Sequence, residues 1–143
     1  VAGYPEKHPE SLTFEKDIEM LKYKVDMGAS FIITQLFFDN EYFYRFRDRA
    51  EKAGIKVPIV AGIMPIVNFS QIERFKVMCS SHIPESLIKS MEGKSEEDIA
   101  SIGIDYAVNQ CEDLVKNQVA GLHFYTLNRS HATKRILDKL HFL

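Results

Sequence analysis

The chain of 143 residues has the length of one ordinary domain, or of part of a larger one. Its 45% hydrophobic and 27% charged residues are typical of a folded globular protein and exclude a disordered or fibrous chain. The formal charge of −2 gives no broad field to attract nucleic acid or an acidic membrane. No apolar stretch approaches the roughly 20 residues that span a bilayer, and the amino terminus lacks a signal-peptide pattern. The isolated Cys79 and Cys111 indicate ordinary thiols in a reducing compartment, so we expect a cytoplasmic protein.

Short apolar runs alternate with helical patterns along the chain. They predict, in order, the tail of a strand at 1–5, a helix over 14–27, a strand over 30–38, a helix over 40–53, a strand over 57–65, a helix over 69–79, a short helix over 84–91, a long helix after Ser95, a strand over 121–127 and a helix over 131–140. Thr13, Asp39 and Ser95 are suited to cap helix amino termini, and Gly28 suits the position after the first helix.

Apolar residues at helical spacing predict which face of each helix is buried. The predicted inward sets are Phe14, Ile18, Leu21 and Val25; Tyr42, Phe46, Ala50 and Ala53; Ile72, Phe75 and Cys79; and Ile104, Val108, Cys111 and Val115.

The alternation of strands and helices predicts an α/β fold with a parallel sheet. Strands that are apolar on both faces, such as FIITQLFF, fit a sheet that is covered on both sides. No GxGxxG or GxxxxGK[ST] motif follows a strand, which favours a (β/α)8 TIM barrel over the nucleotide-binding doubly wound folds. Such a barrel usually has about 250 residues. We therefore expect residues 1–143 to form the carboxyl-terminal half of one barrel domain, with its amino-terminal half absent from this chain.

Active sites of such barrels lie at the carboxyl ends of the strands. There the chain places Tyr4 and its loop, Gln35, residues 65–68 and residues 126–129. Gln35 alternates with Phe31, Ile33 and Phe37 on one predicted strand face. Its amide could contact a ligand at the barrel mouth, or it could be a buried group bonded to neighbouring backbone; the residues alone leave both interpretations open.

Two further groups could bind a ligand or could be ordinary solvated side chains. Arg129 can grip a carboxylate or phosphate with two hydrogen bonds, or it can be solvated while Asn128 and Ser130 cap the last helix. Asp17 and Lys24 are seven residues apart and so lie on one line of their helix, where such pairs are usually solvated. No metal-ligand spacing and no nucleophile–base arrangement occurs in the sequence.

Four stretches in the same order resemble the methylenetetrahydrofolate reductase family: AGYPEKHPE, LKYKVDMGASFIITQLFFD, AGIMPI and GLHFYTLNR. The resemblance implies the last four units of a (β/α)8 barrel. It implies a flavoenzyme of one-carbon metabolism and methionine biosynthesis, in which NADH or NADPH reduces bound FAD. The reduced flavin then converts 5,10-methylenetetrahydrofolate to 5-methyltetrahydrofolate, so that donor and acceptor take turns in a ping-pong reaction.

Residue by residue, the resemblance implies that FAD is contacted by Tyr4, His8, Asp17 and Lys24. It makes Gln35, Gln71 and Arg129 substrate-binding residues, with Gln35 on the pterin, Arg129 near the acidic tail of the folate, and Phe75 stacked on folate or nicotinamide. At Met20, where some bacterial members have a polar FAD contact, the chain departs from the family.

The resemblance also places the general acid of the reaction in the missing half, upstream of Val1, so no catalytic residue is expected here and the chain alone should be inactive. Partners implied are the folate, the nicotinamide nucleotide, the other half of the barrel and further copies in a homo-oligomer. Two alternatives stay open. One is a non-catalytic half-barrel that serves as a binding or assembly module; the other is a different flavin-dependent barrel oxidoreductase.

Overall fold

The protein is built around a four-stranded parallel sheet, seen in a computed structural model that describes residues 1–140 apart from the side chain of Met78. Its elements are β1 (Ala2–Gly3), α1 (Phe14–Asp26), β2 (Ile32–Thr34), α2 (Asn40–Lys52), β3 (Ile59–Ile63), α3 (Ser70–Cys79), α4 (Glu85–Met91), α5 (Glu96–Lys116), β4 (Leu122–Phe124) and α6 (His131–Lys139). The strands lie in sequence order, each neighbouring pair is parallel, and every connection contains at least one helix. This confirms the predicted class: four consecutive βα units, as in half of a (β/α)8 barrel.

Local capping signals set the amino termini of three helices. Thr13, Asp39 and Ser95 each accept a hydrogen bond from a backbone N–H in the first helical turn, at 3.3, 3.0 and 3.2 Å. These bonds satisfy donors that have no partner inside the helix. Gly28 follows α1 with φ of 108°, a conformation that an L side chain resists. All four predicted signals are therefore confirmed.

The second strand is shorter than the predicted run of 30–38. Paired backbone ends at Thr34, and the chain then turns away from the sheet. Phe37 consequently packs against Phe43, with ring centroids 5.5 Å apart, instead of sharing a sheet face with Gln35. The prediction for Phe37 was wrong because two-residue alternation applies only while the backbone stays extended. The apolar run continues past the strand because it enters the helical layer.

The buried face of α2 differs by one residue from the prediction. Phe43, Phe46 and Ala50 are buried, whereas Tyr42 is only partly buried and Ala53 is exposed. Phe46 and Ala50 are therefore buried as predicted, whereas Phe43 takes the place of Tyr42 and Ala53 on the buried face. The apolar pattern of this aromatic-rich segment allowed either face, and packing against the sheet and α5 selected the one that contains Phe43.

The two faces of the sheet have different surroundings. Ile32 and Ile63 point towards the helices and have no exposed surface. Ile33 pairs with Val60, and both are only partly buried on the opposite face. Gln35 follows Ile33 by two residues and is also partly buried, so it lies on this less covered side at the carboxyl end of β2.

The longest helix, α5, fits closely over the loop that follows β3. A Cβ added to Gly103 would lie 1.7 Å from the carbonyl oxygen of Ile66, so only glycine permits this approach. Further along α5, Cys111 and Leu114 are completely buried. Within residues 1–140, neither this 21-residue helix nor any other has the length and apolar character that crossing a membrane requires.

Candidate functional site

Two cavities of about 550 Å³ each open where strands give way to the following loops. The β1–α1 cavity lies between the loop after β1 and helix α1. The β4–α6 cavity lies between the loops after β3 and β4 and helices α3, α5 and α6. Ligand sites of parallel α/β folds are found at this end of the sheet.

The β1–α1 cavity brings together all four residues that the sequence predicts to contact FAD. Tyr4, His8, Asp17 and Lys24 all line it, although they come from a loop and from two turns of a helix. Met20 also lines the cavity and is 53% exposed, so a thioether stands in the wall at the position where the chain departs from the family pattern.

Asp17 anchors the loop that forms one wall of the β1–α1 cavity. Its carboxylate accepts hydrogen bonds from the backbone N–H of His8 at 3.1 Å and from the Ser11 hydroxyl at 2.9 Å. The loop also closes on itself, because the ammonium group of Lys7 donates to the carbonyl oxygens of His8 and Ser11. Asp17 therefore holds the cavity wall in place, and its remaining lone pairs can still accept from a ligand hydroxyl.

The aromatic side of the β1–α1 cavity is equally well ordered. Tyr4 and His8 form an edge-to-face pair with ring centroids 4.5 Å apart. The Nδ1 atom of His8 accepts from the backbone N–H of Glu10 at 3.1 Å, so a neutral imidazole carries its proton on Nε2. Lys24 lies about 10 Å from Asp17 along the helix axis, and its side chain is exposed. It forms no salt bridge within residues 1–140. Its ammonium is available to an anionic group of a ligand.

The β4–α6 cavity contains two of the predicted substrate-binding residues, Gln71 and Arg129. The Oε1 atom of Gln71 accepts from the backbone N–H groups of Val67 and Asn68, at 2.6 and 3.3 Å. Gln71 thereby fixes the loop after β3, while its NH₂ group remains as a donor. The Ser130 side chain makes no capping hydrogen bond, so the interpretation in which Ser130 caps the last helix with its side chain is wrong.

Arg129 is presented by an unusual turn. Leu127 and Asn128, directly before it, have φ values of 46° and 62°, in the left-handed region. The backbone N–H of Arg129 donates to the Thr126 carbonyl at 2.8 Å and closes this turn. Two consecutive non-glycine residues in this conformation store strain, a feature often found at ligand sites.

Tyr125 connects the last strand to the second one, and the sequence analysis missed it. Its hydroxyl donates to the carbonyl oxygen of Thr34 at 2.9 Å, and its ring lies in the wall of the β4–α6 cavity. A Cβ added to Gly62 would lie 2.7 Å from this ring, so Gly62 provides the room for it. Burial raises the pKa of the Tyr125 phenol, which keeps the hydroxyl protonated as a donor.

Gln35 and Phe75 are placed differently from the two residues in the β4–α6 cavity. The Oε1 atom of Gln35 accepts from the N–H of Leu36 at 3.0 Å, as the interpretation of a group bonded to neighbouring backbone requires. The side chain is partly buried, and within residues 1–140 its NH₂ group has no hydrogen-bond partner. Gln35 lines neither cavity. Phe75 is 5% exposed and stacks on Phe38 at 5.8 Å between ring centroids. Phe38 covers one face of the Phe75 ring, and the stacking of Phe75 on folate or nicotinamide stays a prediction.

Glu6 is a partly buried carboxylate that the sequence analysis did not single out. Its Oε2 atom accepts from the backbone N–H of His82 at 2.8 Å, whereas its buried Oε1 atom has no partner. Burial raises the pKa of Glu6 to about 7, against the hydrogen bond from His82 and with a smaller contribution from the charge of Asp39. Glu6 lines neither cavity. Among the described residues, no group of three or more His, Cys, Asp or Glu side chains is arranged to hold a metal ion.

The fold and these cavities define an α/β protein of the barrel type with ligand-sized sites at the carboxyl ends of its parallel strands. The chain belongs to the methylenetetrahydrofolate reductase family, whose model matches residues 1–141. Proteins with this name are oxidoreductases.

Several relatives carry the family's name. The 5,10-methylenetetrahydrofolate reductases of Pectobacterium carotovorum subsp. carotovorum and Escherichia coli K12 are 39% and 41% identical over 142 residues, which is 98% of this chain and 48% of each relative. Methylenetetrahydrofolate reductase (NADH) 1 of Arabidopsis thaliana is 36% identical and is matched over 26% of its length. The chain thus spans about half the length of the bacterial relatives.

A solved structure from Clostridium thermocellum shows the same fold, with a TM-score of 0.61 at 16% identity. The match covers 95% of this chain and 50% of that one. That protein is described as uncharacterized and as binding two copies of 5-methyl-5,6,7,8-tetrahydrofolic acid.

Proposed function

We propose that this chain is the carboxyl-terminal half of the catalytic barrel of an FAD-dependent reductase that converts 5,10-methylenetetrahydrofolate to 5-methyltetrahydrofolate with NADH or NADPH. The observation that carries this proposal is the convergence of Tyr4, His8, Asp17 and Lys24 on one cavity. Family membership supports the reaction, and the name of the plant relative supports NADH as one co-substrate.

The donor set of the β1–α1 cavity fits part of a flavin dinucleotide. Lys24 supplies a cation for a phosphate, Asp17 retains acceptor capacity for a hydroxyl, and Tyr4 offers an aromatic edge. When bound, the flavin supplies the hydride transfer between the nicotinamide and the folate. The residues of this chain hold and orient the cofactor, because Asp17 fixes the loop that carries His8 against α1.

On the substrate side, the chain supplies donors to orient the folate. Gln35 and Gln71 each use their carbonyl oxygen on neighbouring backbone, so each presents its NH₂ group to acceptors on a ligand. Arg129 adds a guanidinium for a carboxylate. Glu6 lines neither cavity, and we keep the general acid in the amino-terminal half of the barrel, where the resemblance to the family places it.

Flavin retention tests the cofactor part of the proposal. We expect the full-length natural protein to contain FAD after purification. Visible absorption detects the bound flavin, and chromatography identifies it after release by heat. Asp17→Ala removes two charge-assisted hydrogen bonds from the cavity wall and should weaken FAD binding at least about tenfold. Asp26→Ala, on the same helix but outside the cavity, should retain FAD. If the wild-type protein contained no flavin, the alternative of a non-catalytic assembly module would be favoured. If Asp17→Ala and Asp26→Ala lost FAD to the same extent, Asp17 would have no specific role in the cavity.

The two half-reactions test the role of Gln35. Stopped-flow measurement of flavin reduction by NADH or NADPH, and of flavin reoxidation by methylenetetrahydrofolate, separates them. Gln35→Ala should slow the folate half-reaction about tenfold or more while flavin content stays at the wild-type level. Equal loss of flavin and of folate reactivity would instead indicate that the amide only supports the backbone at Leu36.

Assembly and location complete the proposal. A homo-oligomer and a cytoplasmic location are proposed, the latter because Cys79 and Cys111 are both free thiols. Light scattering of the purified protein measures the oligomer, and a mass equal to one chain contradicts that part. Cell fractionation tests the location, and recovery with secreted proteins contradicts it.

A further inference from the structure

The loop after β1 is fixed at a second point, away from the cavity that it lines. Glu6 lies between Tyr4 and His8, which both line the β1–α1 cavity, but its own side chain lines neither cavity. Its Oε2 atom accepts a hydrogen bond from the backbone N–H of His82 at 2.8 Å, 76 residues along the chain. Asp17 holds the later part of this loop, and Glu6 holds the part that directly follows the strand.

The segment that Glu6 contacts is itself firmly placed. Ser81 is 4% exposed, and its hydroxyl donates to the carbonyl oxygen of Leu36 at 2.9 Å. Ile83 is 3% exposed and packs in the same apolar cluster as Leu36. The N–H of His82, between these two anchored residues, therefore has a fixed position. Through it, Glu6 connects the loop after β1 to the segment that follows β2.

The carboxyl group of Glu6 has little to compensate a negative charge. Its Oε1 atom is buried and has no hydrogen-bond partner among the described residues, and Asp39 adds a like charge from the amino-terminal cap of α2. Lys7, the next residue, directs its ammonium group to carbonyl oxygens of its own loop. Within residues 1–140 Glu6 forms no salt bridge. Only the N–H of His82 compensates an ionised Glu6.

The other titratable groups around this bond come from three parts of the fold. The His82 ring lies against Tyr42 of α2, with ring centroids 6.1 Å apart, and the hydroxyl of Tyr106 on α5 donates to a backbone carbonyl. Burial and the charge of Asp39 raise the pKa of the Tyr106 phenol, so it stays neutral. Burial likewise raises the pKa of Glu6 to about 7, which brings its titration close to neutral pH.

We propose that Glu6 is a positioning residue for the cofactor: its protonated carboxyl group holds the loop of Tyr4 and His8 in place as the wall of the β1–α1 cavity, and ionisation of Glu6 releases that loop. This inference rests on the proposed function and adds to it a residue that lines neither cavity. Glu6 is partly buried in the closed loop, the position seen in the structure, and is solvated in an open loop. The closed loop therefore binds the proton more tightly.

The sign of the pH dependence follows from that difference. The stabilisation of the closed loop is complete below the ordinary pKa of 4.5 and is lost as pH rises through about 7. Between pH 6 and pH 8 the two pKa values correspond to a loop that opens about tenfold more readily. Because solvent screens this partly buried group, we expect about fivefold. If FAD leaves through the open loop, its dissociation rate rises by the same factor.

Release of FAD from the full-length natural protein tests the proposal, followed by the fluorescence that FAD regains on dissociation. Wild-type protein should release FAD about fivefold faster at pH 8 than at pH 6. Glu6→Gln keeps a carbonyl acceptor but cannot ionise, so release should be slow and change less than about twofold. Glu6→Ala removes the bond and should release FAD rapidly at both pH values. His82→Gln is the matched control, because it removes the imidazole, keeps the backbone N–H and should retain the wild-type pH dependence.

Amide hydrogen exchange of residues 4–12 measures loop opening directly and needs no flavin. Comparison at equal pH removes the intrinsic pH dependence of exchange. Glu6→Gln should exchange like wild type at pH 6 and about fivefold more slowly than wild type at pH 8.

Three results would overturn the proposal. The first is a parallel pH dependence of FAD release in wild type and Glu6→Gln, and the second is loss of that dependence in His82→Gln. The third is loop exchange that responds to Glu6→Gln while FAD release does not, which would make Glu6 a purely structural contact. Failure of the proposed function has a different signature, since the wild-type protein would then contain no FAD. A protein that retains FAD but is indifferent to Glu6→Gln rejects this inference alone.

Discussion

Replacement of Glu6 by glutamine gives the sharpest test of the electrostatics of this fold. The carboxylate bridges the loop after β1 and the segment before α4 by accepting from the N–H of His82, and its other oxygen is buried without a partner. Glutamine has nearly the same shape, and its carbonyl oxygen can accept the same hydrogen bond. Glu6→Gln therefore removes the titratable charge and keeps the bridge.

The direction of the effect follows from proton binding. Glu6 has a pKa of about 7 in the folded protein, against an ordinary value of 4.5 that applies to the unfolded chain. Between these values the folded state binds more protons, so the free energy of unfolding falls as pH rises. The contribution of the protonated form to stability is complete below pH 4.5 and is lost as pH rises through about 7.

The magnitude follows from the same two values. Their difference corresponds to roughly 3 kcal/mol for complete titration. Since the Glu6 side chain is only partly buried and solvent screens its charge, we expect about 1–2 kcal/mol. Relative to wild type, Glu6→Gln should be nearly neutral at pH 4.5 and should stabilise the fold by that amount at pH 8.

Urea denaturation followed by circular dichroism at pH 4.5, 6 and 8 measures this difference. The control is Glu10→Gln, an exposed carboxylate of the same loop, which should follow wild type at every pH. If the Glu6→Gln and wild-type free energies of unfolding change in parallel from pH 4.5 to pH 8, the raised pKa of Glu6 is refuted.

Three further predictions concern packing, thiol reactivity and the loop of the β1–α1 cavity. Gly103→Ala should destabilise the fold by about 3 kcal/mol or more, measured by urea denaturation, because its Cβ would collide with the backbone of Ile66; a loss below 1 kcal/mol would contradict this approach. Burial raises the pKa of the Cys111 thiol to about 12, so iodoacetamide at pH 8 should modify the partly exposed Cys79 first, and Cys111 only after unfolding; mass spectrometry that finds Cys111 labelled first would disprove this order. Asp17→Asn should speed proteolysis of the loop after β1 several-fold without a change in global stability, and an unchanged cleavage rate would argue against the anchoring role.

Much of the framework could be predicted from short-range signals. Thr13, Asp39 and Ser95 cap helices because the donors that they satisfy lie within three residues of each cap. The placement of Asp17 and Lys24 on one line of α1 was equally accessible from their spacing, whereas the resemblance alone implied that they share a ligand site. The alternation of strands and helices was enough to predict the parallel sheet.

Ambiguous local patterns account for the errors at α2 and at the end of β2. The aromatic residues Tyr42 and Phe43 offered two neighbouring apolar faces, and contact with α5 chose the second. The apolar run through Phe37 looked like continued strand because burial in a helical layer and burial in a sheet need the same residue types. Arg74 lines the β4–α6 cavity and was not predicted, although it lies three residues beyond Gln71 on the same helix.

Sequence spacing thus decides what lies within a few residues: the helix caps and the succession of strands and helices along the chain. Packing between distant segments decides the rest. Phe75 is buried because Phe38, from another βα unit, covers its ring. The pKa of Glu6 is raised to about 7 because tertiary packing buries its side chain beside His82, 76 residues away, and this burial outweighs the hydrogen bond from the His82 backbone. Arg74 of α3 and Arg135 of α6 line one cavity only because the folded chain brings these distant segments around it, and no local pattern encodes such a placement.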